Sequence, residues 1–351
     1  MSALPATGLS TASLYGALRE PIARIQSRLS EAQQEVASGH HADPGLALGA
    51  QAGAASALHA ARTRLDALAQ TNALAATRLQ GTQDALGSAL SAAQDLQKTV
   101  LAGLAGGGAQ PDMLAAGAKT GFAQLAAALN ATVGGQHLFA GIDTDAKPLG
   151  DDGAAGLASV DDAFKAAFGV TPDDPAAKSV GAAGVKTFLD GAFASLFSPA
   201  GWDAHWSQAR GGAIESRLSP DQTAATSVTA DEPALRRATQ ACAAVSRLAA
   251  SNLSAEARQA VLTQASDLLG QAISGLGALQ SRVGLMQANV TRAGDDAAKQ
   301  KQLLDARIGA VEDVDPAEAS VRISTLTTQL EAAYSLTAKI SQLSLVRFLP
   351  A

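Results

Sequence analysis

Cysteine is almost missing from this chain. Its 351 residues include 1 cysteine, Cys242, so neither an internal disulfide nor a thiolate metal cluster can form. Aromatic residues are scarce as well, with 2 Trp, 2 Tyr and 8 Phe, or 3%. Yet 47% of residues are hydrophobic, so the apolar surface must come from Ala, Leu and Val, which suit thin seams between helices better than one thick core. Positive charge is in deficit: 26 Lys and Arg against 32 Asp and Glu leave a net charge of −6. Nucleic acid is therefore an unsuitable partner, because phosphate binding needs a basic face. No apolar run approaches the ~20 residues that cross a bilayer, which argues against a membrane span. The stretch before the first basic residue, Arg19, is broken by Ser, Thr, Gly and Pro, and no cleavable signal peptide is expected from it.

Proline is absent from two long stretches, between Pro44 and Pro111 and between Pro233 and Pro316. The middle has the opposite character. Pro148, Pro172, Pro175, Pro199 and Pro220 fall there, with Phe164, Phe168, Phe188, Phe193, Phe197, Trp202 and Trp206. Residues 151–220 also carry 5 basic against 9 acidic groups. Two Pro-free flanks thus enclose an insert of different composition.

The flanks are periodic. Leu262, Ala265, Leu269, Ala272, Leu276, Leu279, Val283, Met286, Val290, Ala293, Ala297, Gln300 and Leu304 alternate in steps of three and four, the coiled-coil repeat. Ser254 is read as the N-cap of this helix and Gly309 as its stop. Its glycines, including Gly270, Gly275, Gly277, Gly284 and Gly294, each cost about 1 kcal/mol against Ala, so it depends on partners. Leu58, Ala61, Leu65, Leu68, Asn72, Ala75, Leu79, Thr82, Leu86 and Ala89 keep the same beat in the other flank. A shorter helix carries Phe122, Leu125, Leu129 and Val133 and ends at Gly134-Gly135, and another runs from Leu235 through Ala238 and Cys242 to Val245. Both ends are amphipathic: Leu14, Leu18, Ile22, Ile25, Leu29, Ala32 and Val36 form one stripe, and Ile323, Leu326, Leu330, Ala333, Thr337 and Ile340 another. Asp315, Pro316 and Glu318 supply the cap, first turn and acidic third position of the last helix. Single helices of this kind are marginal in water and need each other or another molecule. In the insert, helices are expected around Phe164–Phe168 and Val185–Phe197, and a hairpin from 214–218 to 225–229 turning at Ser219-Pro220-Asp221-Gln222.

Chemistry finds little support. His40-His41-Ala42-Asp43 lacks the spacing of a helical His pair and any further ligand, and a solvated turn is the better reading. Asp143 and Asp145, with the pairs Asp151-Asp152, Asp161-Asp162 and Asp173-Asp174, do not fit a calcium loop, since Pro148 stands where the glycine belongs; solvated acidic loops account for them. Trp202-Asp203-Ala204-His205-Trp206 reads as the core of a small domain, Cys242 as a buried small hydrophobe, and Gly106-Gly107-Gly108 as a turn between helices. No phosphate-loop, zinc-protease or nucleophile-elbow motif occurs. No catalytic residue, metal or cofactor is expected.

Three segments carry a family resemblance. Arg24-Ile25-Gln26-Ser27-Arg28-Leu29-Ser30 through Ser38-Gly39 resembles the R-L-S…S-G opening of flagellins and flagellar hook-associated proteins. Gly134-Gly135-Gln136-His137-Leu138-Phe139-Ala140-Gly141-Ile142-Asp143-Thr144-Asp145 resembles the G-x-Y-L-F-[AS]-G-x-x-T-D element of the hook–filament junction type, through Gly135, Leu138, Phe139, Gly141, Asp143 and Asp145. Val314-Asp315-Pro316-Ala317-Glu318 through Leu343-Ser344-Leu345 resembles the family's terminal helix. His40-His41-Ala42-Asp43-Pro44 departs from the basic and aliphatic pair and D-D-P run usual after the first segment, and the Asn-rich opening of flagellin is missing.

The resemblance implies a mainly α protein, an elongated antiparallel helical bundle or coiled-coil rod built from the N- and C-terminal segments, with a small α+β insert. It implies assembly helices at 1–45 and 313–351, rod halves at 46–147 and 231–312, and a solvent-facing insert at 148–230. Assembly contacts would fall to Leu18, Ile22, Ile25, Leu29, Val36, Ile323, Leu326, Leu330, Ile340 and Leu343. The implied function is structural and non-enzymatic, at the junction of hook and filament in the extracellular bacterial flagellum. Implied partners are hook-associated proteins, flagellin, further copies in a ring or helical layer, and an export chaperone, with export by the flagellar type III route. Flagellin itself is the near alternative. A coiled-coil signalling module, from another class, would normally show a transmembrane span or an output domain.

Overall fold

The computed structural model describes residues 11–106 and 111–346. In chain order it contains α1 (Thr11–Ser38), α2 (Pro44–Leu48), α3 (Ala52–Ala105), α4 (Pro111–Leu129), β1 (Thr132–Val133), β2 (Gln136–His137), α5 (Ala154–Phe168), α6 (Ala182–Phe188), α7 (Pro199–His205), β3 (Glu215–Ser219), β4 (Gln222–Ala225), α8 (Pro233–Ala244), α9 (Ala255–Glu312) and α10 (Pro316–Val346). The protein is mainly α, with two small two-stranded antiparallel sheets, β1–β2 and β3–β4. Its chain forms two compact units, one from residues up to Asp66 together with those from Lys299 onward, the other from Ala67–Ala298.

In the first unit α1 and α10 run antiparallel, as Gln26 Nε2 donating to Tyr334 Oη at 2.7 Å and Arg322 Nη1 donating to Glu35 at 2.9 Å show. The first turns of α3 lie beside the end of α9, also antiparallel, through Arg62–Asp305 at 2.8 Å, His59–Glu312 at 2.8 Å and Lys301–Asp66.

The second unit holds the core. The heptad stripe of α9 is buried at Leu262, Ala265, Leu269, Ala272, Leu276, Leu279, Val283, Val290 and Ala297. Opposite it lie Leu79, Leu86, Leu96 and Val100 of α3, Leu114, Leu125 and Leu129 of α4, Leu235, Ala238 and Cys242 of α8, and Val245 just beyond it. The polar breaks in the α3 stripe are buried and bonded. Asn72 Nδ2 donates to the Leu218 carbonyl at 3.0 Å, and Thr82 Oγ1 to the Arg78 carbonyl at 2.9 Å. Both expected caps form: in this unit Ser254 Oγ accepts from Ala257 N at 3.2 Å, and in the first unit Asp315 Oδ1 accepts from Ala317 N at 2.8 Å.

Eight aromatic side chains of the second unit form one continuous chain. Phe168, Phe164, Phe188, Phe193, Phe197 and Trp206 follow one another with centroids 4.7 to 6.0 Å apart, and Trp202 stacks on Trp206 at 5.9 Å. The chain continues to Phe122 on α4, 6.3 Å from Trp206. The middle segment therefore shares its core with the helices within the unit 67–298.

Several expectations need correction. Val133 is not helical: α4 ends at Leu129, and Val133 pairs with Gln136 in β1–β2. Gly134 and Gly135, at φ +61° and +81°, make the two-residue hairpin turn that Gly-Gly favours. Gly309 does not stop α9, which runs on to Glu312 with Asp313 N donating to the Gly309 carbonyl at 2.8 Å; beyond it Val314 N donates to the Gly39 carbonyl at 2.9 Å instead of continuing the helix ladder. The hairpin turns at Ser219–Gln222 as expected, but its second strand is Gln222–Ala225 and starts at the turn. Asp161 and Asp162 lie in α5, not in a loop. Gly107 and Gly108 lie outside the described residues.

Candidate functional site

The terminal helices show the least complete burial of any long elements. Along α1, Ala32 is buried and Ile22, Ile25 and Leu29 are half-buried; along α10, Leu326 is buried and Ile323 and Leu330 are half-buried. Two paired helices can cover only one strip of each other, which leaves Val321, Tyr334 and Leu336 exposed. Val36, expected on the buried stripe, is 42% exposed, and Glu35 takes the buried place. The side chains of Leu18, Ile340 and Leu343 lie outside the described residues.

Glu35 is buried because a joint closes over it. Its carboxylate accepts from Arg322 Nη1 at 2.9 Å and from Ala42 N at 3.3 Å, and it stands 3.4 Å from His41 Nδ1. Nearby, Val314 N donates to the Gly39 carbonyl at 2.9 Å and His41 N to the Glu312 carbonyl at 3.2 Å. His40 Nδ1 lies 2.8 Å from Asp313, and His59 Nε2 lies 2.8 Å from Glu312. The break between α1 and α2 is thus tied to the break between α9 and α10. His40–Asp43 is not a free solvated turn, and Asp43 caps α2 by accepting from Leu46 N at 3.0 Å. Periodicity and motif mark none of Glu35, Arg322 and His59 as partners. The one local signal was Glu35 at the edge of an apolar stripe, where a solvated charge is the ordinary reading.

The element 135–145 is a latch within the second unit. Leu138, Phe139 and Ala140 are buried. Their backbone is tied on three sides: Leu138 N donates to the Ala131 carbonyl at 3.0 Å, Ala230 N to the Phe139 carbonyl at 2.9 Å, and Arg210 N to the Ala140 carbonyl at 3.0 Å. Gly141 has φ +78° and pairs with Arg210. Asp143 and Asp145 are exposed, as is Gly135. Asn130 anchors the segment beyond, its Oδ1 accepting from Leu149 N at 2.8 Å and its Nδ2 donating to the Leu149 carbonyl at 3.1 Å.

Asp161 holds Arg247 in a two-point ion pair, and its hydrogen bonds push the guanidinium above its ordinary range. A hydrogen bond from Lys147 is the first cause that keeps Asp152 below the usual carboxylate range. Burial pushes the Cys242 thiol up to about 12, which leaves it protonated and inert. Among the described residues no group of three or more His, Cys, Asp or Glu could hold a metal ion, and no helix is long and apolar enough to cross a membrane.

Comparison with known proteins bears on the terminal segments. Residues 9–144 match the family described as bacterial flagellin N-terminal helical region, and residues 266–349 match bacterial flagellin C-terminal helical region. No curated protein sequence matches the chain. Nineteen chains of solved structures match. One, a Vibrio parahaemolyticus chain provisionally named a flagellar hook-associated protein, has 13% identity and a TM-score of 0.49, over 73% of this chain and 95% of that one.

Proposed function

Because this chain belongs to the bacterial flagellin family, we propose that it is the structural protein seated where hook meets filament. It is a structural component of the flagellum and works assembled with other flagellar axial proteins. The junction role is the finer reading. The observation that carries it is the element Gly134–Asp145, whose L-F-A-G run resembles the junction type more than flagellin proper. Export without cleavage by the type III route and escort by a chaperone belong to this proposal, as do flanking hook-associated proteins and flagellin as neighbours. Electron microscopy of flagella labelled with an antibody to this chain tests it. A single band at the hook end is expected, and label along the whole filament would overturn the junction reading in favour of flagellin.

The same reading assigns assembly to the seam of α1 and α10, through Ile22, Ile25, Leu29, Ile323, Leu326 and Leu330, with Leu18, Val36, Ile340 and Leu343 extending it. Leu330→Asp places a carboxylate on a half-buried seam position, at a cost of about 1–3 kcal/mol confined to the first unit. The expected product is a soluble chain with its helical circular dichroism largely kept and with incorporation into flagella lost. A chain unfolded throughout would mean that this seam belongs to the core of the monomer.

A further inference from the structure

Arg78 of α3 is buried without an opposite charge. It is only 8% exposed. Its Nη1 donates to Gln136 Oε1 at 2.7 Å and its Nη2 to the His137 carbonyl at 3.3 Å. Both acceptors are neutral, and among the described residues no carboxylate pairs with it. Burial holds the guanidinium below its ordinary range, with no acidic neighbour acting the other way. Glu35, buried to the same degree, has the Arg322 guanidinium at 2.9 Å and the His41 ring beside it. Arginine cannot escape burial by losing its proton, so the desolvation of Arg78 is offset only by hydrogen bonds to neutral acceptors.

The cover over Arg78 is thin. Gln136 is exposed, and a Cβ added at Gly134 or Gly135 would meet nothing within 4 Å. Leu74, one turn earlier on α3, is 60% exposed. The Gln136 amide oxygen stands where a carboxylate oxygen would make a charge-assisted, forked contact with the guanidinium. We propose that Arg78 is a socket for an acidic side chain of a second copy of this chain, and that Gln136 is a neutral cover which that carboxylate displaces. Charge complementarity supports that occupant: Asp143 and Asp145, beside the same hairpin, are exposed and carry no ion pair among the described residues.

The proposal rests on the reading that the chain works within an ordered assembly, not on its place at the junction. Its first test needs only the free chain. Gln136→Glu delivers a carboxylate to the guanidinium with almost no change of shape, and the thermal midpoint should rise by about 2 °C or more. Arg78→Met removes a charge that has no partner in the monomer, and the midpoint should hold or rise. An unchanged or lower midpoint for Gln136→Glu, or a fall of several degrees for Arg78→Met, overturns the socket and leaves Arg78 as a clasp for the hairpin. The second test is self-association of the purified chain by sedimentation at rising concentration. Both variants should associate at least about tenfold more weakly than the natural chain, since a tenfold loss is the scale of one good ionic contact. Equal behaviour of all three overturns the second copy as the occupant. Neither test involves hook or filament, so a failed junction reading would leave both outcomes readable.

Discussion

Trp206→Ala is expected to cost the second unit about 3–5 kcal/mol and to lower its melting temperature by about 10 °C. The indole is 3% exposed and touches three aromatic neighbours, with centroids 4.9 Å from Phe197, 5.9 Å from Trp202 and 6.3 Å from Phe122. Scanning calorimetry should show the loss as one shifted transition for residues 67–298. If the helices instead melt at the natural temperature, with only a minor early transition, the aromatic cluster would be a separable insert after all. Replacing 151–213 by a linker would then be harmless. On the present packing that deletion strips Phe122 of its covering and is expected to destabilise the helices too.

Gly141→Ala is expected to be nearly as damaging, at about 3 kcal/mol or more. Gly141 holds φ +78°, a left-handed conformation that an L side chain adopts only with strain. A Cβ there would stand 2.2 Å from the Arg210 carbonyl oxygen and 2.9 Å from that of Gly212. Both are backbone atoms, so no rotamer change relieves the clash. The bonds that would have to open are Ile142 N to the Arg210 carbonyl and Arg210 N to the Ala140 carbonyl, each 3.0 Å. Amide hydrogen exchange should therefore speed up at Ile142 and Arg210 in the variant before it does so in α9. Unchanged exchange at those two amides would show that the loop 207–212 does not depend on the 135–145 latch. The glycine in the family element is required by the fold, whatever the element contributes to assembly.

The two units differ in what their pairings ask of the sequence. In α9 the stripe from Leu262 to Val290 is written at every third and fourth residue, and burial follows it closely, because a helix imposes its period on whichever neighbour it meets. In the joint of the first unit the decisive partners are far apart in sequence, with Glu35 and Arg322 separated by 287 positions. Nothing in either local window distinguishes them from solvated surface charges. Arg247 and Asp161 pose the same difficulty, since an acidic pair reads as a loop until a cation from a distant helix is placed against it. Asn130 also looks like an ordinary helix-terminating residue until Leu149 is brought within 3 Å of its amide.

Features that depend on neighbours a turn or a bond away were legible in the chain. Those features are the helical flanks and their seams, the caps at Ser254 and Asp315, the turn at Ser219–Gln222, and the family to which the ends belong. Tertiary structure alone decided which contacts close over those seams. It moved burial from Val36 to Glu35, carried α9 through Gly309 to the joint at Asp313, and turned Val133 into a strand facing Gln136. It also laid Trp206 on Phe122, so that a segment of distinct composition shares one core with its flanks. The physical reason is the range of the interactions. Propensity, capping and periodicity act within about four residues along the chain. The desolvation of a carboxylate or the covering of an aromatic face depends on every element packed around it, and those come from both halves of the sequence.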